Sequence, residues 1–154
     1  MLLHPNDEAA GDRLLETVRL TEMVTPELIS EIVSEACARL PLLNKGGKAA
    51  IRIVELIQSS GWIDAALALI EIELPGWKLR RLAYDEGEWH CSLSKQPNLP
   101  IELDDTIDAH HEVLPLAILS ALLQARRDSV VRKNQTVPHF KPAPAYVVCC
   151  DNFA

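Results

Sequence analysis

At 154 residues, with 48% of them hydrophobic and 24% charged, the chain carries enough apolar material for one ordinary core and falls outside the disordered class. Its net charge of −7 argues against the dense basic surface that phosphate neutralisation requires, and no basic segment followed by an apolar run opens the sequence, so no nucleic-acid partner, signal peptide or membrane span is expected. Cys37, Cys91, Cys149 and Cys150 form no CxxC metal pair, and the expected setting is a reducing, cytoplasmic one that keeps them as thiols.

Residues 1–24 are mixed. Leu14, Leu15, Val18 and Met23 fit one side of a short helix, while His4-Pro5-Asn6-Asp7 reads as frayed, so this segment is expected to be partly ordered at most. Thr25-Pro26-Glu27 is a helix start: a capping hydroxyl, a proline whose missing N–H costs nothing in the first turn, and an acid at the positive end of the dipole. The helix should run to Leu40, where Pro41 stops it, with Leu28, Ile29, Ile32, Val33 and Ala36 on its apolar side. A second helix is expected from Lys48 to Ser60, presenting Ala50, Ile53, Val54 and Ile57 and ending at Gly61. The Lys45-Gly46-Gly47-Lys48 loop before it offers free backbone donors to an anion, but it lacks the Walker spacing and a preceding strand, so it reads as a connection. Residues 62–74 read as a third helix with Asp64 as its cap, although Ile70-Glu71-Ile72-Glu73-Leu74 alternates and suits an extended segment equally.

Residues 77–93 write a β-hairpin around Asp85-Glu86-Gly87. A three-residue loop with Gly87 in the left-handed position spares glutamate a positive φ and pairs Ala83 with Trp89, Arg81 with Cys91 and Leu79 with Leu93. In that register Trp77, Leu79, Ala83, Trp89, Cys91 and Leu93 share the apolar face, with Arg81 alone among them as either a guanidinium reaching the edge or an anion ligand. Lys78, Arg80, Glu88, His90, Ser92 and Ser94 fall on the wet face. A two-stranded ribbon is marginal alone, so further strands are sought at 99–103 and 146–150, the first weakened by Pro100. A long helix follows over 114–127, apolar nearly all round and therefore needing cover on two sides, with Pro115 in its first turn and Arg126-Arg127 at its negative end. The hairpin can cover one side; the N-terminal helical pair or the same helix of another subunit must cover the other. The proline-bearing remainder ends on Ala145-Tyr-Val-Val-Cys-Cys150, a docked strand or exchanged arm.

The fold class is thus α+β: an N-terminal helical pair, a helix, an antiparallel hairpin sheet of two to four strands, and a long apolar helix packed on that sheet. The expected organisation is 1–24 as an N-terminal segment, 25–127 as one domain (25–61 helical pair, 62–127 helix-hairpin-helix core) and 128–154 as a tail. Trp77, Arg80, Arg81, Gly87, Trp89 and the Leu-Pro-Leu-Ala-Ile run beginning at Leu114 give the chain a resemblance to small uncharacterised proteins of rhizobia and related alphaproteobacteria. Through the same residues, over about 64–127, it resembles more distantly the phage α-β-α sandwich domain. The resemblance implies a fold and a bacterial or phage-like origin; it transfers no catalytic residue.

Asp104, Asp105, Asp108, His110, His111 and Glu112 are the densest set of metal-capable groups. Adjacent histidines point apart on a helix or a strand and no His-Glu-x-x-His spacing occurs, so the stretch reads as a solvated acidic loop capping the long helix, and no metal or cofactor is expected. Cys91, placed on the apolar face, reads as a small hydrophobe. With no nucleophile elbow or dinucleotide fingerprint, the expectation is a non-enzymatic protein-interaction or oligomeric accessory domain, working as a homodimer or with a protein partner. The alternative is a small-ligand- or metal-dependent enzyme with a pocket between sheet and helices, using Arg81, His90 and residues 104–112. Nucleic-acid binding would require Arg80, Arg81 and residues 126–133 to converge.

Overall fold

The computed structural model describes residues 5–37 and 47–134. Four helices, α1 (Pro5–Leu20), α2 (Pro26–Ala36), α3 (Lys48–Gln58) and α4 (Trp62–Glu73), precede strands β1 (Lys78–Asp85), β2 (Glu88–Ser94) and β3 (Thr106–His111), and α5 (Leu114–Asn134) ends the described chain. The strands form one antiparallel sheet in the order β1-β2-β3. This is an α+β fold with the long helix on the sheet, as the hydropathy pattern implies. The proposed strand or arm at 146–150, Cys149, Cys150 and the turn at Leu40-Pro41 lie outside the described residues.

Helix α5 is the centre. Leu116, Ala117, Ile118, Leu119, Ala121, Leu122, Leu123 and Ala125 are all buried, on every side of the helix. The sheet takes one side; α1 and α4 take the other. The element judged partly ordered from sequence is therefore a 16-residue helix that sinks Leu14, Leu15 and Val18 into the same core, while Met23 stays outside. Because cover comes from within the chain, α5 needs no second subunit. It also runs seven residues past Arg127. The polar run after residue 127 supports helix rather than ending it, since Arg132 reaches back one turn to Asp128 at 2.9 Å and Val130 and Val131 are only partly exposed. Arg126 and Arg127 are consequently not at a helix end. They tie α5 to its neighbours, Arg126 to Glu73 of α4 at 3.1 Å and Arg127 to Asp12 of α1 at 3.0 Å.

The helix termini follow their local chemistry. The Leu28 N–H donates to Thr25 Oγ1 at 3.2 Å, with Pro26 as the first helical residue. At the end of α3, the Gly61 N–H donates to Leu56 O and the Ser60 N–H to Ile57 O, a Schellman pair. The left-handed residue is Ser60, at φ 59°, rather than the glycine after it. Gly61 is the cap of α4, and Asp64 lies in that helix's first turn without capping it. The alternating residues 70–74 are helical through Glu73.

The hairpin register differs from the expectation near the turn and agrees with it at the far end. Asp85 pairs with Glu88 across a two-residue turn in which Glu86 (φ 51°) and Gly87 (φ 89°) both take positive φ, the type I′ signature whose twist matches the flanking strands. Tyr84 then opposes Trp89, Leu82 opposes Cys91, and Arg81 opposes Ser92. The one-residue offset is absorbed by a bulge at Arg80, after which Leu79 still pairs with Leu93. Leu82 replaces Ala83 on the core side with Trp89, Cys91 and Leu93. Arg81, expected on the apolar face, is exposed on the other. The twist of a two-residue turn evidently outweighs the cost of a left-handed glutamate, so replacing Glu86 by asparagine, which tolerates that region, should raise stability by about 0.5–1 kcal/mol in urea denaturation.

The arginine that the fold uses is Arg80. It ion-pairs with Asp104, whose side chain is 1% exposed against 17% for Arg80, and its Nη2 donates to Leu99 O at 2.9 Å. Ser94 Oγ donates to the same carboxylate at 2.6 Å and accepts from the Gln96 N–H at 3.0 Å. Neither Arg80 nor Ser94 belongs to a wet face, then; together they fasten the connection between β2 and β3 to the bulge. Residues 101–103, expected as a strand, form a 3-10 turn within that connection, closed by the Leu103 N–H on Pro100 O at 2.9 Å. Removing the guanidinium would leave a buried carboxylate without its cation. Arg80→Ala should cost about 3 kcal/mol, whereas Arg81→Ala should stay within about 0.5 kcal/mol, both read from denaturation midpoints.

Candidate functional site

Residues 106–111 are not a loop. Alternation sends Thr106, Asp108 and His110 to the outer face of the sheet and Ile107, Ala109 and His111 towards α5. The acidic and imidazole groups are thereby separated rather than gathered: Asp108 accepts from Ser92 and Thr106 side chains, Asp104 is consumed by Arg80 and Ser94, and Asp105 lies 3.5 Å from Arg132. Among the described residues, no group of three or more His, Cys, Asp or Glu side chains is arranged to hold a metal ion. On the outer face His90 and His110 stack at 5.8 Å between ring centroids, and His110 Nδ1 is 3.0 Å from Glu88 Oε2.

At the end of the sheet nearest the hairpin turn lies a cleft of about 320 Å³. The C-terminal turns of α1 and the residues after it form one wall, Glu88 and the end of β3 another, and Ser120 and Gln124 of α5 the floor. His110, His111 and Glu112 of the acidic stretch reach it; Arg81 and His90 do not. His111 is 9% exposed and its Nδ1 accepts the Val113 N–H at 2.9 Å. A neutral ring so held carries its hydrogen on Nε2, which makes that atom a donor and not a base towards anything in the cleft. Sequence reading grouped His111 with the rest of residues 104–112 and did not single it out, because two adjacent histidines in an acidic run give no hint that one turns inward; the signal available was the period-two placement of Ile107, Ala109 and His111.

A second, more open cleft of about 590 Å³ lies by the turn between α4 and β1, lined by Trp77 and Arg126 among others, with Lys95 Nζ 4.9 Å above the Trp77 ring. Of its cations, Arg126 faces Glu73 and Arg132 faces Asp105 and Asp128. The locally basic runs are matched in the same way. Arg80, Arg126, Arg127 and Arg132 each face a carboxylate, so they do not add up to a continuous basic surface.

Both described cysteines are buried, and burial pushes each thiol up to about 12, helped at Cys37 by the nearby Glu73 carboxylate and at Cys91 by Asp108. No helix of the described residues is long and apolar enough to cross a membrane. No family model, curated protein or solved structure matches the chain. With Cys149 and Cys150 replaced by serine, the native protein should resist a disulfide thiol reagent at pH 8 and label at both remaining cysteines once denatured. Because folding raises these thiol values, the associated stability is complete below the ordinary thiol range and falls as pH climbs from there towards 12, which pH-dependent unfolding would register.

Proposed function

We propose that this chain is a non-enzymatic protein-interaction domain of the bacterial cytoplasm that associates with a second copy of itself through α3. The observation that carries this reading is an apolar arc on α3 wider than its neighbours cover. Ala50 and Ile53 are buried, but Ile51 and Val54, one turn apart, are 57% and 52% exposed. Val54, which periodicity assigns to the core, lies outside it, and Ile63 at the start of α4 is a further exposed apolar side chain. A helix with such a strip pairs well with an identical one in antiparallel fashion, because the two-fold relation sets the strip against itself.

Charge favours the same occupant. Along α3 the exposed Lys48 and Arg52 occupy the first half and the exposed Glu55 the second, so an antiparallel copy brings cations of one helix opposite the anion of the other. The resemblance to small alphaproteobacterial proteins and to a phage domain belongs to the same proposal as a statement of origin, and it brings no catalytic group with it. Two chemical facts weigh against the enzymatic alternative that sequence suggested: the buried thiols hold their protons, and His111 offers a donor where a general base would need a free lone pair. Sedimentation analysis should find a concentration-dependent dimer. Ile51→Glu should shift it to monomer without lowering the unfolding temperature below that of wild type diluted to monomer, and Arg52→Glu should weaken it, with Glu55→Arg added to that variant restoring it. A wild type that stays monomeric at high concentration would end this reading.

A further inference from the structure

From the cleft beside His111 we infer a binding site for a small ammonium compound that also carries a carbonyl or hydroxyl acceptor. The inference is independent of the α3 surface and adds to it. Its first support is a pair of buried polar groups that the fold leaves unused. Ser120, 5% exposed, and His111, 9% exposed, both line the cleft. Among the described residues, neither Ser120 Oγ nor His111 Nε2 has a hydrogen-bond partner, and both retain access to the cleft they line. Buried polar groups are nearly always satisfied, so two that open onto one cavity mark where an acceptor belongs. His111 can only donate there, because its Nδ1 is occupied by the Val113 N–H.

The second support is the charge at the rim. Glu22, Glu88 and Glu112 stand against the single guanidinium of Arg19, which is itself 3.3 Å from Glu16, and the imidazole of His110, 3.0 Å from Glu88. An anionic ligand would meet like charge on entering, whereas a cation is drawn in. Leu15 and Leu20 supply apolar wall, and Gln124 beside Ser120 offers both a donor and an acceptor on the floor. A cavity of about 320 Å³ lies at the small end of ligand sites, which fits a compact molecule whose acceptor reaches the floor while its ammonium remains among the carboxylates.

Glycinamide has both groups and serves as the probe, with propionamide lacking the ammonium and propionate reversing the charge. In amide-resolved NMR titrations of the full chain, glycinamide should shift His111, Ser120 and Gln124 saturably with a Kd on the order of millimolar, as its few atoms allow. Propionamide should bind more weakly and propionate should produce no saturable shift. Ser120→Ala, which removes a donor without disturbing the packing of α5, should weaken glycinamide about three- to tenfold. Glu112→Gln, at an exposed position, should weaken it by a smaller factor and reduce its salt dependence. No saturable shift with glycinamide, equal binding of propionamide or propionate, or an unchanged Kd in Ser120→Ala would each overturn the assignment.

Discussion

The fold depends on burying α5 on all sides. A helix apolar around its whole circumference cannot rest on a sheet alone, because the sheet removes water from one side only. The opposite side is closed by α1 and α4, and two arginines of α5 fix how they lie, Arg126 against a buried carboxylate of α4 and Arg127 against Asp12 of α1. Helices α2 and α3 form a further layer whose main contacts are with each other and with α1 and α4. This ordering explains where apolar surface is left over. Part of it lies on α3, where Ile51 and Val54 stay outside the core, and none on the buried stretch of the long helix, whose demand is met within the chain.

The two ends of the sheet are finished differently. At the Lys78, Ser94 and Thr106 end, Arg80, Asp104 and Ser94 form a closed set of hydrogen bonds that holds the connection from β2 to β3 in place. At the Glu88 and His111 end, the strands stop short of α1 and the space between them remains a cleft with unmatched donors at its base. The same polar residue types thus do opposite things: satisfied, they lock a loop; unsatisfied, they leave a place for something else.

What the sequence made legible was whatever repeated or had a strong local chemistry. The cap at Thr25, the helices that begin at Lys48 and Trp62, the inward residues Trp89, Cys91 and Leu93 of β2 and the long helix were all readable from period and cap residues. The hairpin turn was misread because one local preference, against a left-handed glutamate, was set above another, the twist match of a two-residue turn; the bulge at Arg80 that reconciles them leaves no trace in hydropathy. Strand β3 was hidden because its inward residues include only Ile107 and Ala109 as hydrophobes, with His111 as the third. Helix α1 was undervalued because Leu14, Leu15 and Val18 are a thin stripe until a helix needing cover is placed beside it. Of the cleft, only the contribution of residues 110–112 could be anticipated from the chain, since it joins residues near positions 20, 88, 111 and 120 that only the tertiary fold assembles.

The bulge at Arg80 has a consequence for how this sheet meets other molecules. Among the described residues strand β1 is an edge, and an edge of evenly spaced N–H and C=O groups is an invitation for another chain to add a strand. Here the even spacing is broken a third of the way along, and the extra residue turns its side chain back to Asp104 and the Leu99 carbonyl. A visiting strand could register with one half of β1 and not with both. Among the described residues the sheet has three strands, and growth by backbone pairing, the common route to fibrous aggregates, is disfavoured at that side by the same residue that fastens the loop.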